Sequence, residues 1–584
     1  MLAAPAARAI DATISTPRAS KAFAERLGEA SLSFTEAAQE DSTPQDILAA
    51  AQADYANLLG VLYAQGYYDG VISILVNGRE AADIPPLATP DSIERIAITV
   101  ERGEAFRFGR AEVAPLAPGT TLPEGFRSGA TARAGLVGQA ARAGVTGWRD
   151  VGHAKADVSE QDFVADHATS RLDVDIALAP GPRLRFGELR IEPTERPSRV
   201  REARIREIAG LPEGQTFSPE ELSDSANRLR RTGAFSSVSL REAETPNPDG
   251  TLDIDARVDD AKRRRVGTGI EFGTSEGLTL SGFWLHRNLF GGAERLRLDG
   301  VIGGMGGDSG GTDFRLGARL DRPATFTPDT SAFLVANIED NDEPEYSERK
   351  AEIGGGVTHI FSEQLEGEAA VFYRYSEIDD DLGTRTLQHL LLPLRLTWDR
   401  RNDELNPTSG LYLDVSLTPF IRTDDAAAGS RLYADLRDYL TFGEEERITL
   451  AGRAQIGSVA GADRRDVPAD MLFYSGGAGT VRGQPYESLG VELNPGVTVG
   501  GRSFLGVSGE LRGMVTDAIQ AVVFADGGYI GEDALGTGEG EWHGGAGLGA
   551  RYFTPVGPIR VDLATPLDDA GSDLEIYIGI GQAF

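Results

Sequence analysis

The chain has 584 residues, of which 40% are hydrophobic, so it is too long for one ordinary domain and can bury several cores. Its formal net charge of -33 argues against a nucleic-acid partner, and the absence of cysteine excludes disulfides, thiol catalysis and cysteine metal sites. No apolar run approaches the ~20 residues of a transmembrane helix, although the alternating strands of a membrane β-barrel would escape that criterion.

The first segment, residues 1–9, contains Ala-Pro-Ala-Ala-Arg-Ala and is similar to the end of an export signal near its cleavage site. An ordinary alanine-rich start is the alternative. From residue 10 the chain alternates strand-like and helical segments, and it repeats. The stretch from Gly103 to Gly109 returns as the stretch from Gly181 to Gly187, about 78 positions later, which is a period long enough for a small αβ domain.

The third repeat, residues 183–262, shows the pattern most clearly. Alternation over 184–191 predicts a half-buried strand with a bulge near Gly187. Ser218-Pro219-Glu220-Glu221 has the residues of a helix start, and Gly233 those of a helix end. The other predicted elements are a helix over 199–209 and strands over 237–242 and 252–258. The predicted order is therefore β-α-α-β-β.

The two preceding repeats, residues 10–105 and 106–182, match this order in part. We predict helices that end at Gly66 and at Gly144, each followed by two strands. Those strands are 71–76 with 93–100 and 154–164 with 172–178, and the opening strand of the first repeat is predicted over 10–14. These modules carry no catalytic constellation, and their exposed strand edges could accept a strand from a partner.

From residue 263 to 584 the helical periodicity ends, and alternating segments recur between polar or glycine-rich breaks. About sixteen strands result, an even number typical of bacterial outer-membrane barrels. We predict them over 264–273, 276–287, 293–303, 312–321, 330–339, 349–360, 365–378, 385–399, 410–420, 430–441, 446–459, 501–512, 518–526, 543–553, 556–564 and 573–583. In the last strand Ile576 and Ile578 share one face and Glu575 and Tyr577 the other, a pattern that fits a membrane barrel with a wet lumen or a soluble barrel. The strand lengths, the strand number and the glycine-rich lumen face favour the membrane barrel.

The glycine-rich stretch from Ser475 to Gly490 reads as a long loop with Arg482 near its middle. A lone loop arginine is usually solvated. Here strand alternation can point Glu510 and Asp526 into the lumen, so we expect the loop to fold back into the barrel and to anchor Arg482 on these carboxylates. Gly483 next to Arg482 would let the backbone turn sharply and pack closely.

These motifs resemble those of the BamA/TamA superfamily of outer-membrane assembly proteins. Val481-Arg482-Gly483 looks like the Val-Arg-Gly-Tyr motif of its sixth extracellular loop, although Gln484-Pro485 replaces the usual tyrosine. The other matches are Arg401-Asn402 with Pro407 to Gly410, Phe524 to Gly528, Pro555 to Asp562, and Phe584 as the C-terminal assembly signal, in which Gln582 stands where an apolar residue is expected. The repeats resemble POTRA domains, and three of them suggest the TamA branch, because BamA typically carries five and two-partner secretion transporters two.

The resemblance implies an outer-membrane localisation with the N-terminal domains in the periplasm, and a non-enzymatic role without a cofactor. That role is the insertion or translocation of β-rich clients such as autotransporters, with outer-membrane lipid and a TamB-like inner-membrane-anchored protein as partners. It also implies a lateral seam between the first and last strands, built from Val266, Gly269, Phe272, Gly579, Gly581 and Phe584. Tight lumen packing is the alternative for the seam glycines. The alternative functions are a secretion pore for one dedicated protein and a BamA-like general insertase.

Several stretches imitate catalytic or metal-binding motifs. Gly307 to Gly311 is similar to a serine-protease loop, but no matching histidine and aspartate context exists. Gly545 to Gly549 imitates a nucleotide loop inside a strand pattern, with no helix after it. The acidic runs 339–345 and 379–381 could hold Ca²⁺ on an outer loop, although solvated charge is the simpler interpretation.

Overall fold

The structure is a computed structural model that describes residues 10–17, 19–39, 42–307, 310–443, 447–495, 497–555, 557–567 and 574–584. The predicted export-signal remnant, residues 1–9, lies outside the described residues, as do Asp308 and Ser309 of the protease-like stretch. The chain divides into two compact units, and the division passes through the third repeat. The first unit is Met1–Glu188, Pro212–Ser223 and Glu242–Ile254, and the second is Leu189–Leu211, Asp224–Arg241 and Asp255–Phe584.

In its described residues the first repeat is a four-stranded sheet, in the order β1-β4-β2-β3, with three α-helices. Its elements are β1 (Asp11–Ser15), α1 (Lys21–Ala30), α2 (Leu32–Ala37), α3 (Pro44–Gln65), β2 (Val71–Val76), β3 (Arg79–Glu80) and β4 (Arg95–Glu101). Thr43 and Asp46 form a capping box at the start of α3, and Gly66, with φ 87°, ends it. The buried carboxylate of Asp54 accepts hydrogen bonds from the Ser31 and Ser33 hydroxyls, which fixes the corner between α1 and α2.

The second repeat has one helix, so the expected β-α-α-β-β order is wrong for it. Its elements are β5 (Arg107–Ala114), α4 (Ala134–Asp150), β6 (Asp157–Asp166) and β7 (Arg171–Ala179), with sheet order β5-β7-β6. The segment 115–133 carries Pro115, Pro118 and Pro123, which block a first helix. The predicted helix end at Gly144 is also wrong. A Cβ at Gly144 would lie 2.7 Å from Leu178, so this glycine lets α4 approach the sheet closely.

The third repeat has the predicted order, with a three-stranded sheet in the order β8-β10-β9. Its elements are β8 (Arg185–Ile191), α5 (Glu202–Ala209), α6 (Pro219–Arg231), β9 (Phe235–Glu242) and β10 (Thr251–Asp260). Among the helices of the described ranges, none is long and apolar enough to cross a membrane.

The rest of the chain forms a closed antiparallel barrel in which sequence neighbours pair. Its strands are β11 (Arg264–Gly273), β12 (Gly277–Arg287), β13 (Arg295–Met305), β14 (Asp313–Arg322), β15 (Thr330–Glu343), β16 (Tyr346–Ser362), β17 (Leu365–Asp380), β18 (Arg385–Leu391), β19 (Leu394–Asp399), β20 (Gly410–Arg422), β21 (Ala428–Phe442), β22 (Ile448–Ala460), β25 (Ser503–Thr516), β26 (Ile519–Gly531), β27 (Gly540–Thr554), β28 (Gly557–Pro566) and β29 (Glu575–Ile580), and the hairpin β23 (Val491–Asn494) and β24 (Val497–Val499) lies in the connection from β22 to β25. Both β18 and β19 pair with β17 and β20, so they are halves of one strand interrupted at Pro393, which lacks a backbone N–H. The prediction of sixteen strands is therefore confirmed.

The faces of the barrel strands follow the predicted alternation. On β28 and β29, Val561 and Ile578 are exposed on the outer face, whereas Asp562 and Tyr577 are buried on the inner face. An apolar exterior around a charged interior is the arrangement of a membrane barrel.

The connection between β15 and β16 is shorter than predicted. The strands continue to Glu343 and from Tyr346, so the expected loop 340–348 is a two-residue turn. Most of the acidic run 339–345 is therefore strand, and Glu339 pairs with Lys350 at 3.0 Å instead of lying on an outer loop.

Candidate lumenal anchor and seam

The guanidinium of Arg482 is buried in the barrel lumen, with 2% of the residue exposed. Its Nε and Nη2 donate to the two carboxylate oxygens of Asp526 at 2.7 and 3.0 Å, and its backbone N–H donates to the same group at 3.1 Å. Its Nη1 donates to Glu510 at 2.6 Å and to Asp562 at 3.4 Å. The guanidinium carbon lies 3.6 Å from the ring centroid of Phe524. One cation thus holds three inward-facing carboxylates and stacks on an aromatic face.

Two more fully buried arginines belong to this charged cluster. Arg512 donates to Glu510 at 2.8 Å, and Arg551 donates to Asp562. Neither arginine is exposed, and the partly buried Arg560 lies 3.9 Å from Asp562 as a fourth cation, so four cations surround three anions. Sequence reasoning brought together Arg482, Glu510 and Asp526 but missed Asp562, Arg512 and Arg551 as members. The available signal was the alternation of β25, β27 and β28, which places all three on the lumen face.

The backbone around Arg482 needs glycine at two positions. Gly483 has φ 94°, and a Cβ there would lie 2.6 Å from the carbonyl oxygen of Thr565. A Cβ at Gly545 on β27 would lie 1.9 Å from the carbonyl oxygen of Arg482. These close approaches seat the loop against the inner wall.

The loop from Ser475 to Gly490 also contacts both ends of the barrel sheet. Its Ala478 N–H donates to Glu276, in the turn between β11 and β12, at 2.7 Å. Its Gly483 N–H donates to the hydroxyl of Tyr577 on β29 at 3.1 Å. The loop therefore joins the first hairpin to the last strand from inside.

The segment before this loop fills part of the lumen with apolar side chains, which sequence reasoning did not predict. Val467, Met471, Leu472 and Phe473 pack against the inward-facing rings of Phe333, Phe372, Phe420 and Phe504. Within the same segment Asp470 pairs with Lys350 at 2.6 Å and with Arg374 at 3.0 Å. We call residues 461–474 the lumenal plug.

The seam between β11 and β29 is short. Among the residues that the structure describes at this seam, only Phe272 with Ile578 and Gly273 with Tyr577 are paired, and the Thr274 N–H donates to the Ile576 carbonyl at 3.1 Å. By contrast, β28 and β29 pair over six residues from each strand, Ile559 to Ala564 and Glu575 to Ile580.

The free edge of β11 begins where this pairing ends. Val266 and Gly269 pair with β12 on one side and, within the described part of the chain, with no strand on the other. Residues 264–271 therefore present a free strand edge.

The expectation that Phe584 and Gly581 lie in the seam is wrong for this structure. Strand β29 ends at Ile580, before the predicted residue 583, because Gly581 adopts a left-handed conformation with φ 97° and turns the chain inward. Phe584 packs inside the barrel against Tyr439 and Ala451. Gly579 stays in β29, opposite Arg560 of β28.

A second group of ionic contacts lies where α5 and α6 meet the turn between β14 and β15. Arg228 and Arg231 pair with Asp329 at 2.9 and 2.6 Å, and Arg204 donates to the carbonyl of Pro323 at 2.6 Å. Burial would raise the pKa of Asp329, but the hydrogen bonds from the two arginines outweigh it and hold the pKa below its ordinary value. These contacts fasten the helices of the third repeat to the barrel rim.

This chain is similar to known proteins both in its sequence and in its fold. Residues 288–584 match the Omp85 superfamily domain, and residues 187–260 match the POTRA repeat described as a surface antigen variable number repeat. BamA from Haemophilus ducreyi lacking POTRA domains 1-3 superposes with a TM-score of 0.62 at 16% identity, over 82% of this chain and 100% of that one. CdiB from Acinetobacter baumannii superposes with a TM-score of 0.51 at 12% identity, over 82% and 91%. At these identities the likeness shows a shared fold.

Proposed function

Because the chain belongs to the Omp85 superfamily, whose domain matches residues 288–584, we propose that it inserts or exports β-rich client proteins through the seam of its barrel. The barrel lies in the outer membrane and the N-terminal repeats in the periplasm. We assign residues 10–105, 106–182 and 183–262 to three periplasmic POTRA-like domains and residues 263–584 to the barrel. No energy-converting motif enters this proposal, so client folding and a periplasmic partner supply the driving force.

The observation that carries the proposal is the free edge of β11 beside a seam of two residue pairs. An unpaired strand edge is a template for another strand, because its N–H and C=O groups can continue the ladder. Each backbone hydrogen bond of the seam is worth about 1 kcal/mol net, so the few that exist can be exchanged for those of a client strand at small cost.

The lumenal plug favours lateral insertion over an axial secretion pore for one dedicated protein. A chain moving along the barrel axis would have to displace the packing of Phe473 against Phe504 and the ion pairs of Asp470. A chain entering at the seam needs neither change. The pore and a BamA-like general insertase remain the alternative functions.

We further propose that strand β6 of the second repeat receives a TamB-like periplasmic partner. It is an edge strand, and its Phe163 and Val164 are 49% and 51% exposed on opposite faces. Phe163 pairs with the buried Val174, so it extends the core face, whereas Glu160 and Asp162 pair with Ala177 and Asp175 on the outer face. A strand added at this edge fits best if it alternates apolar and basic residues.

A disulfide across the seam tests the proposed function, and the absence of cysteine from the native chain makes it specific. The variant carries Phe272→Cys and Ile578→Cys, at two positions that are paired across β11 and β29. We expect oxidation to abolish assembly of an autotransporter client and reductant to restore it.

The matched control is Ile559→Cys with Ile580→Cys, which locks β28 to β29 and should leave assembly intact. Full assembly with the seam lock quantitatively formed would exclude lateral insertion. Export of a client with the seam locked would instead support the axial pore.

A further inference from the structure

The last four residues of the sequence, 581–584, which we call the tail, occupy a built site inside the barrel. The side chain of Gln582 accepts a hydrogen bond from Arg551 Nε at 2.8 Å. Its amide nitrogen donates to Asn406 at 2.9 Å and to Gln520 at 3.0 Å. Its backbone N–H donates to the carbonyl of Leu405 at 3.1 Å. The polar groups of this side chain therefore have partners on the barrel strands and, through Asn406, in the connection between β19 and β20.

Phe584 is held beside a second arginine. Arg512 Nη2 donates to the carbonyl oxygen of Phe584 at 3.1 Å, and the Arg512 guanidinium lies 5.6 Å from the centroid of the Phe584 ring. The ring packs against Tyr439 and Ala451, and 6% of the residue is exposed. Arg512 and Arg551 are both fully buried, and each donates one hydrogen bond to the tail.

The register of the seam defines a second position for the same four residues. Phe272 pairs with Ile578 and Gly273 with Tyr577. If β29 continued straight in this antiparallel register, Ile580 would face Ile270, Gly581 would face Gly269, and Phe584 would face Val266. The tail can therefore complete the seam or fill the lumenal site, but it cannot do both.

The geometry points to Arg512 and Arg551 as positioning residues that hold the tail in the lumen and thereby keep the β11 edge, residues 264–271, free for a client strand. This inference rests on the proposed function only in its claim that a client strand pairs with the β11 edge. The claim that the two arginines hold the tail in the lumen concerns the barrel alone.

The same two arginines connect the tail to the loop anchor. Arg512 shares Glu510 with Arg482, and Arg551 shares Asp562 with Arg482. A change that draws Arg482 away removes one of the arginines paired with each carboxylate and so alters the contacts of Arg512 and Arg551, which bind Phe584 and Gln582. Loop displacement and tail release are thus coupled through the two shared carboxylates. The tail has two positions, in the lumen or in the seam, and the position of the loop shifts the balance between them.

The test uses a reporter disulfide in the full chain, with no client present. Ile270→Cys and Ile580→Cys lie on the outer face, outside the tail site, and they become opposite neighbours only if β29 continues along β11, since a disulfide needs Cβ atoms within about 4.5 Å. With both arginines intact we expect a low disulfide yield at fixed oxidant. Arg512→Gln with Arg551→Gln should raise the yield at least fivefold.

Two further variants test whether a raised disulfide yield is specific to the tail contacts. Arg437→Gln removes another lumenal arginine, one that bonds Asp435 and not the tail, and it should leave the yield unchanged. Gln582→Ala removes only the hydrogen bonds of the tail side chain and should give a smaller rise, so the inference stays testable if the double arginine variant fails to fold. Only protein that migrates as a folded barrel before boiling is counted.

Equal disulfide yields in the native, Arg512→Gln/Arg551→Gln and Gln582→Ala backgrounds would overturn the inference. A raised yield with undiminished cross-linking of a client strand to β11 would overturn the role in client access. Because the first measurement contains no client, a failed tail test and a failed lateral-insertion test are distinguishable.

Discussion

The backbone N–H of Gly483 donates a 3.1 Å hydrogen bond to the hydroxyl of Tyr577, so the Arg482 loop touches the last barrel strand directly. Five residues earlier, Ala478 donates to Glu276 beside the first strand. The loop therefore spans the seam from within, and Arg482 holds it there through Glu510, Asp526 and Asp562. A change in the anchoring of the loop should consequently also change the geometry of the seam.

We predict that Arg482→Ala releases the loop while the barrel still forms. Removing one partner from a buried charge network costs about 3–5 kcal/mol, because carboxylates are left without their counter-charge. Hydrogen exchange in residues 475–490 should accelerate at least ~100-fold, and assembly activity should fall more than barrel abundance.

Arg482→Lys separates charge from geometry, because lysine cannot donate to both oxygens of Asp526 as the guanidinium does. It should give an intermediate exchange rate. Arg437→Ala, which removes a lumenal arginine outside the cluster, should leave the loop protected. Normal activity of Arg482→Ala at normal abundance would contradict the anchoring role.

We predict that Gly483→Ala destabilises the loop and that Gly479→Ala in the same loop does not. Alanine at 483 must adopt φ 94° with its Cβ 2.6 Å from the Thr565 carbonyl, which costs at least about 1–3 kcal/mol. A Cβ at Gly479 meets nothing within 4 Å. Proteinase K cleavage of the folded barrel should be faster only for the first variant, and equal rates would refute the packing argument.

The barrel could be read from the sequence because alternation of apolar and polar residues directly reports which face meets lipid. The same alternation placed Glu510 and Asp526 in the lumen, where Arg482 of the preceding long loop could reach them. It could not reveal the tail, because residues 573–583 continue the alternating pattern and only the left-handed Gly581 breaks the strand. Gln582, an exception to the apolar expectation there, has its partners in the lumen.

The lumenal plug and the single helix of the second repeat were missed for a different reason. Phe473 and its neighbours have no periodicity of their own, and their packing against Phe333 and Phe504 arises from residues far away in the chain. In the second repeat, the sequence similarity to the third around Gly109 and Gly187 suggested a helix that Pro115, Pro118 and Pro123 prevent. The repeated motif led us to expect the same elements after it in both repeats, although the residues that follow the motif differ.

We predict that Asp329→Asn loosens α6 from the turn between β14 and β15. The loss of two charge-assisted contacts, with Arg228 and Arg231, should cost about 1–2 kcal/mol at this partly exposed site. Hydrogen exchange in residues 224–231 should rise ~5–30-fold at pH 7. Glu363→Gln is the matched control, because the hydrogen bond that Glu363 accepts from Asn227 of α6 is exposed.

The same contact predicts a direction of pH dependence. The pKa of Asp329 is lowered in the folded protein from its ordinary value of 3.8, so its contribution is complete above that value and is lost as the pH falls through the lowered pKa. The protection factors of the α6 amides, which are corrected for the intrinsic pH dependence of hydrogen exchange, should therefore be constant from pH 7 to about 4.5 and fall below about 4. Asp329→Asn should remove this acid-dependent step, and its persistence in the variant would assign the step to another group.

The final prediction concerns the edge strand β6 and a partner strand that alternates basic and apolar residues. Glu160→Lys with Asp162→Lys reverses the charge on the outer face of the edge while keeping the strand exposed. Opposite charges directly across two strands contribute about 0.2–1 kcal/mol each, and like charges oppose pairing. Exchanging attraction for repulsion at two positions should therefore weaken binding of a ten-residue peptide of alternating Lys and Val about 5–30-fold, measured by fluorescence anisotropy with the full chain. Glu112→Lys reverses one carboxylate on the opposite edge strand of the same sheet, β5, and, compared with each single β6 variant, should leave binding unchanged. Equal losses from both edges would mean that the peptide senses only the overall acidity of the domain, and recovery of a periplasmic partner from envelope extract by the charge-reversed protein at native yield would exclude β6 as its receptor.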